Sequence, residues 1–266
     1  MLLVIVVALL ALLAGLAANR WLRPRLVNSA DDEGMAVKDL VGPLLTMTVL
    51  LLSFVLVTAN GSYGKAEAAS RGEARALDQL VETAEYAPAA ERARIQAAAV
   101  CYARAVRAQE WPAMADGNGS PAPSVWSTDV RQSFKGLAGQ PVFGMLVAAD
   151  NKRSDEREER LTQATSSIPP TIFWFLLATL VITVTALGIC LPRKNNRGQI
   201  VTLVVITALL TTALVIIRDV DRPFGGIINI TPTAITETER QAHRDFTANH
   251  PSTDLPCDNN GNRHTT

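Results

Sequence analysis

Four apolar stretches, each long enough to cross a lipid bilayer as a helix, limit what this chain of 266 residues can fold into. They are residues 1–18, 40–59, 168–191 and 200–217, and none contains Asp, Glu, Lys, Arg or His. A helix needs about 20 apolar residues to cross the hydrocarbon layer. Such runs have no polar face to offer to water, which argues against a soluble domain. The sequence therefore predicts an all-α integral membrane protein with four transmembrane helices.

The polar segments group these helices into two pairs. A basic connector (residues 19–39) joins the first pair and a basic turn (192–199) joins the second, so we predict two transmembrane helical hairpins. Residues 60–167 separate the pairs and are predicted to form a large soluble helical insert. After the fourth helix, residues 218–236 contain Asp-Arg-Pro-Phe-Gly, and residues 237–266 form a polar tail that we expect to be disordered because it has few apolar side chains.

Both short connectors carry an excess of positive charge. The basic residues are Arg20, Arg23, Arg25 and Lys38 in the first, and Arg193, Lys194 and Arg197 in the second. Short basic loops are retained on the cytoplasmic side of a membrane. This rule places the insert and the tail outside. The first stretch has no basic residues before it, unlike a secretory signal peptide, so we predict a retained helix rather than a cleaved signal.

The sequence of the insert predicts a bundle of helices. One apolar stripe comprises Ile95, Ala99, Tyr102 and Val106, and a second comprises Leu77, Leu80, Val81 and Ala84. Residues at these spacings share one helix face, so we expect the stripes to pack together. A later helix, from Val142, carries the charged run DNKRSDEREERLTQ. We predict that this run faces solvent, with Lys152–Glu156 and Glu156–Arg160 as ion pairs one turn apart.

A cluster of charged and special residues follows the fourth helix. It consists of Arg218, Asp219, Asp221, Arg222, Pro223, Phe224, Gly225 and Gly226. One interpretation is a charged mouth that selects or gates ions. The alternative is a helix stop with compensating ion pairs. Two threonine pairs one turn apart, Thr179–Thr183 and Thr207–Thr211, are candidates for a polar path, although threonine hydroxyls also bond to their own helix carbonyls.

Several functions are disfavoured. Acidic and basic residues are equal at 25 each and aromatic residues make up 5%, which disfavours nucleic-acid binding. His243, His250 and His264 match no metal-ligand spacing, and phosphate-binding loops and hydrolase motifs are missing from the sequence, so we expect no cofactor, no metal and no enzymatic activity. Cys101 and Cys257 would share the outer compartment and could pair, which the sequence alone leaves open.

The order of these parts resembles a family of bacterial membrane proteins described as bestrophin-like. The matching segments are Arg20-Trp-Leu-Arg-Pro-Arg25, Tyr102-Ala-Arg-Ala-Val106, Glu110-Trp-Pro-Ala-Met114, Pro169-Pro170, and Asp221-Arg-Pro-Phe-Gly225 with Pro232. The resemblance covers nearly the whole chain except the tail. It singles out Tyr102, Glu110, Trp111 and Pro112 as a candidate insert motif.

The resemblance implies a multi-pass protein of the bacterial plasma membrane. Bestrophins are oligomeric anion channels, so it also implies a homo-oligomeric ion channel. In bestrophins the large helical region is cytoplasmic, whereas the basic connectors here predict an external insert, and we follow the connectors. The alternative function is a non-catalytic, membrane-anchored interaction or scaffold protein that binds a protein partner through its insert.

Overall fold

The structure, a computed structural model, describes residues 2–21, 37–191 and 197–264, and only the backbone of residues 37–40. The helices are α1 (Leu2–Trp21), α2 (Val37–Ala84), α3 (Ala89–Ala105), α4 (Trp111–Ala115), α5 (Ala122–Phe134), α6 (Pro141–Ala164), α7 (Pro170–Ile189), α8 (Arg197–Val220) and α9 (Thr233–Asn249). A π-helical segment (Val106–Glu110) joins α3 to α4, and a 3-10 turn (Lys135–Leu137) follows α5. Over the described ranges there are no β-strands, which confirms the all-α prediction.

Four helices of the described chain, α1, α2, α7 and α8, are long and apolar enough to cross a membrane. They coincide with the four apolar stretches of the sequence. Most of the basic connector residues, including Arg23, Arg25, Arg193 and Lys194, lie outside the described residues. The chain divides into two compact units, the first comprising residues 1–61 and 167–221 and the second residues 62–166 and 222–266. Helix α2 contributes residues to both.

In the first unit, α1 and α7 pack in parallel. Small residues permit this close approach, because a Cβ atom on Gly188 would lie 2.8 Å from the Cα of Gly15. One turn further along, the Asn19 side-chain amide donates a hydrogen bond to the Leu191 carbonyl (2.9 Å). Helix α8 packs against both α1 and α7. Because the first and third apolar helices are parallel, they would cross a membrane in the same direction.

The second unit has a continuous apolar core. Both predicted stripes enter it, and all eight of their residues belong to one buried cluster. The two helices also meet through a polar contact, since the Tyr102 hydroxyl of α3 donates to Glu73 of α2 (2.5 Å). The expected packing of the two insert helices is therefore confirmed.

The prediction of a disordered tail for residues 237–266 is wrong. Helix α9 spans Thr233–Asn249 and buries Ile235, Ala242 and Phe246. Beyond it, Cys257 forms a disulfide with Cys101, with 5.8 Å between the Cα atoms. The three apolar residues lie on one helix face, and they suffice because the insert supplies the complementary surface. The apolar content of the tail alone does not reveal that partner.

Candidate functional site

Buried charges link three helical segments in the second unit. This ion cluster consists of Glu73 on α2, Glu110 at the end of the π-helical segment, and Asp150, Arg153, Arg157 and Arg160 on α6, together with Tyr102 on α3. The α6 members are three or four residues apart, so they share one helix face. That face is turned into the unit: Asp150, Arg153 and Arg160 are at most 1% exposed.

Arg160 lies at the centre of the ion cluster. Its Nε donates to one Glu73 carboxylate oxygen (2.5 Å) and its Nη2 donates to the other (3.2 Å). The same Nη2 donates to Glu110 Oε1 (2.5 Å), and Nη1 contacts the Met114 sulfur (2.8 Å). One guanidinium thus joins two carboxylates from different elements, and Tyr102 provides a second donor to Glu73.

The π-helical segment presents Glu110 to this guanidinium and to a second one. Arg157 donates from Nε to both Glu110 oxygens (3.2 and 3.1 Å) and also pairs with it through Nη2. Burial acts to raise the pKa of Glu110, but the hydrogen bond from Arg157 and the charge of Arg160 outweigh it, so the pKa lies below its ordinary value. Glu110 is therefore an ionised acceptor near neutral pH rather than a proton donor.

Arg153 and Asp150 extend the ion cluster along α6. Asp150 accepts hydrogen bonds from Arg153 (2.9 and 2.5 Å) and from Arg131 of α5 (2.7 Å). The Arg153 guanidinium lies 4.4 Å from the Tyr102 ring centroid, a cation–π distance. Burial raises the pKa of Tyr102, which keeps its hydroxyl protonated and able to donate.

The expectation that the α6 charged run faces solvent is wrong for these arginines. Lys152 and Glu156 do form the expected pair (2.6 Å). Arg160 instead pairs with Glu73 and Glu110 on the buried face. The opposite charges offset one another within the interior, so the ion cluster acts as a cross-link between helices.

The candidate insert motif lies partly within this ion cluster. Glu110 contributes a carboxylate, as described above, and Trp111 packs edge-on against Phe224, with ring centroids 5.4 Å apart. The Trp111 indole N–H also donates to the Ile230 carbonyl (3.1 Å). Pro112 is exposed at the start of α4. The motif therefore joins the insert to Phe224 of the Asp-Arg-Pro-Phe-Gly segment and to Ile230 beyond it.

Most residues of the candidate ion mouth make structural contacts. In the first unit, one Asp221 carboxylate oxygen accepts hydrogen bonds from the Ser167 amide and hydroxyl (both 2.9 Å) and from the Ile168 amide (3.0 Å). Asp219 is also buried, and Arg218 stacks on Phe173.

In the second unit, Pro223 and Phe224 are buried, whereas Arg222 is exposed. Gly225 approaches the backbone of α4 so closely that a Cβ atom there would lie 2.5 Å from the Ala115 oxygen. Gly225 and Gly226 both donate their amides to the Arg222 carbonyl (3.1 and 3.0 Å). The glycines therefore form a tight turn that brings Phe224 into the core.

The membrane threonines are mostly enclosed by their own unit. Thr183 is fully buried and hydrogen-bonds to Thr48 of α2 (2.8 Å). Thr179 and Thr207 are also buried, each bonded to a carbonyl of its own helix. Enclosed hydroxyls of this kind do not line an open path within a single chain.

Helix α2 has a polar seam that sequence reasoning missed. Thr46, Ser53 and Asn60 are exposed and seven residues apart, which places them on one face of the helix. Only 17% of the most apolar window of α2 is buried in the chain, compared with 33–39% for the other three membrane-length helices. The seven-residue spacing is visible in the sequence. The sequence does not show that this face of α2 is left uncovered by the other helices of the chain.

Residues 257–261 are fixed to α3 and α5. Besides the Cys101–Cys257 disulfide, Arg104 donates to the Asp258 carbonyl (3.3 Å), and the Trp126 indole donates to the Gly261 carbonyl (2.8 Å). Gly261 has a φ of +75° and contacts the Ala105 backbone, a position that excludes a side chain. Among the described residues, no group of three His, Cys, Asp or Glu residues is arranged to hold a metal ion.

Comparison with known proteins assigns this architecture to a family. A family model described as the Bestrophin-like domain matches residues 5–235. This chain belongs to the Bestrophin-like family. No protein with a curated description matches the bestrophin-like chain in sequence.

Solved structures share the fold of this bestrophin-like protein. A mutant of a bacterial bestrophin homologue from Klebsiella pneumoniae superposes with a TM-score of 0.73 at 14% identity, covering 92% of this chain and 99% of that one. A second mutant of that homologue gives 0.68 at 14% identity, with 95% and 100% covered. A crystal structure described as a membrane protein gives 0.72 at 14% identity, with 93% and 99% covered.

Proposed function

We propose that this bestrophin-like protein assembles into a homo-oligomer whose α2 helices surround an ion pathway across the membrane. The observation that carries the proposal is the polar seam of α2 on the membrane-length helix that its own chain covers least. In an oligomer, copies of Thr46, Ser53 and Asn60 would form successive polar rings, while lipid covers the remaining faces. The resemblance to bestrophins supports this reading.

The seam hydroxyls can serve either their own helix or a passing ion. Thr46 donates to the Gly42 carbonyl (3.1 Å) and Ser53 to the Val49 carbonyl (2.8 Å). Both hydroxyls keep lone pairs as acceptors, and Asn60 offers both an acceptor and donors. The seam residues are uncharged, so the charge preference of the pathway would be set by other residues.

Liposome flux with seam variants tests this proposal. Ser53→Leu should reduce ion flux about tenfold or more, because it replaces a polar ring by apolar side chains. Phe54→Leu is the matched control, since Phe54 is exposed on another face of the same helix and should leave flux unchanged. A well-folded monomer without flux, or equal flux from both variants, would remove the channel proposal.

The proposed membrane topology is two hairpins with the insert between α2 and α7. The parallel packing of α1 and α7 supports it, because α2 and α8 must then each return in the opposite direction. The basic connectors favour the cytoplasm for the Arg20 and Arg197 ends. The Cys101–Cys257 disulfide supports an external second unit, since disulfides persist in oxidising compartments.

Labelling of intact cells tests the orientation. Tyr86 is 77% exposed in the second unit, and Arg197 is exposed at the start of α8. A membrane-impermeant thiol reagent added outside should react with Tyr86→Cys and not with Arg197→Cys. The reverse pattern would refute the proposed orientation while leaving the channel proposal intact.

A second candidate function is a non-catalytic scaffold that binds a protein through the insert. A groove of about 460 Å³ between α5 and α6 favours it, with Phe134, Phe143 and Val147 on its walls and Arg131 and Lys135 beside them. If the groove serves a partner, Phe143→Glu should abolish partner capture without changing ion flux. Loss of flux in that variant would instead place the groove within the channel assembly.

A further inference from the structure

A pocket at one end of the first unit combines a cation with apolar walls. It has a volume of about 320 Å³ and is lined by Leu3, Val4, Pro170, Phe173, Trp174 and Arg218. The first turn of α1, the first two turns of α7 and the last turn of α8 meet there. Thr46, Ser53 and Asn60 of the polar seam are not among the described residues that line this pocket.

Arg218 supplies the cation of this pocket. Its guanidinium carbon lies 4.6 Å from the Phe173 ring centroid, so one face of the group is held by the aromatic ring. Within the described ranges, no carboxylate or carbonyl accepts a hydrogen bond from this guanidinium. Its N–H donors therefore remain available to an anion, and their fork geometry suits a phosphate.

The surroundings of Arg218 place it at the boundary between lipid headgroups and hydrocarbon. It is the first charged residue after the apolar residues 200–217. Trp174 is 57% exposed and Leu3 is 50% exposed on the pocket walls. Tryptophan and arginine beside exposed aliphatic side chains are typical of this boundary, where the indole and the guanidinium can meet polar headgroups.

We propose that this pocket binds an anionic phospholipid of the leaflet nearest to Arg218. The lipid phosphate accepts hydrogen bonds from Arg218, and the first carbons of an acyl chain pack against Leu3 and Trp174. Basic pockets between transmembrane helices recognise acidic headgroups in this way. A small free anion would satisfy the guanidinium but would leave the apolar walls uncovered, which is why a lipid is the better occupant.

Lipid titration of the purified full-length protein in a neutral detergent tests the proposal. Dioleoyl-phosphatidylglycerol is compared with dioleoyl-phosphatidylcholine and with glycerol phosphate, and bound lipid is counted by native mass spectrometry. We expect one tightly bound phosphatidylglycerol per chain. Arg218→Gln should weaken that binding about fivefold or more, as expected for removal of one interfacial cation.

Two further variants make the test specific. Arg222→Gln removes an exposed arginine that does not line the pocket and should leave binding unchanged. Leu3→Gln keeps the cation and alters only the exposed apolar wall, and it should also weaken lipid binding. This variant tests the proposal even if Arg218→Gln does not fold.

Three results would overturn the proposal. Equal losses in Arg218→Gln and Arg222→Gln would indicate non-specific charge attraction. Equal binding of phosphatidylcholine would show that headgroup charge is not recognised. Competition by glycerol phosphate at the concentration of the lipid would indicate a free-anion site. The measurement involves no ion flux, so its failure would leave the channel proposal untouched.

Discussion

Replacing Arg160 by methionine should destabilise the second unit strongly. The substitution keeps an unbranched apolar side chain but removes the guanidinium that joins Glu73 to Glu110. Glu110 retains Arg157 as a partner, whereas among the described residues Glu73 retains only the Tyr102 hydroxyl. Removing one partner of a buried ion pair costs about 3–5 kcal/mol, because the remaining charge stays out of water.

Thermal unfolding in detergent, followed by circular dichroism, measures this cost. For a folding unit of this size 1 kcal/mol corresponds to about 2–4 °C, so Arg160→Met should lower the unfolding temperature by about 6–20 °C. Adding Glu73→Gln should recover about 1–3 kcal/mol, because it removes the stranded charge.

The control is an exposed ion pair of the same unit. Arg71 pairs with Glu67, and their side chains are 61% and 41% exposed, so Arg71→Met should cost less than about 1 kcal/mol. If Arg160→Met costs no more than Arg71→Met, or if Glu73→Gln adds to the loss rather than reducing it, the cross-linking role of Arg160 is refuted.

Three further outcomes follow from the structure. Cys101→Ala should lower the unfolding temperature and abolish its sensitivity to reductant, because the disulfide spans 156 residues and loop entropy gives an upper bound of about 5 kcal/mol. Gly188→Ala should cost about 1–3 kcal/mol through its clash with Gly15, whereas Gly198→Ala, with open space at its Cβ position, should not. The lowered pKa of Glu110 means that its ionised form stabilises the fold fully above the unfolded-state pKa of ~4.3 and that this contribution is lost as pH falls through the folded-state pKa. Wild-type unfolding temperature should therefore fall in acid more steeply than that of Glu110→Gln, and parallel curves would contradict this.

The apolar stretches and stripes were predictable because each is a local pattern. The four membrane-length helices follow from length and composition, and the contact between the Leu77 and Ile95 stripes follows from helical periodicity. The sequence left open whether Cys101 and Cys257 form a disulfide, since their separation along the chain does not give their distance in space.

The composition of the charged run on α6 predicts exposure, whereas its helical periodicity predicts that Arg153 and Arg160 are buried. On α6, Arg153 and Arg160 continue the helical stripe of the apolar residues Leu146 and Ala164, a signal that they face the core. The sequence does not reveal which carboxylates pair with these arginines, because Glu73 lies 87 residues before Arg160. The π-helical segment that presents Glu110 likewise has no sequence signature.

The contact between Asp221 and Ser167 imposes an order on biosynthesis. Asp221 leaves the ribosome 54 residues after Ser167, which at 5–20 residues per second is about 3–11 s. During that interval the amides of Ser167 and Ile168 lack their carboxylate acceptor. The residues just before α7 can therefore form these hydrogen bonds only after the whole of α8 has been translated. A nascent chain truncated within α8 should lack the hydrogen bonds to Asp221.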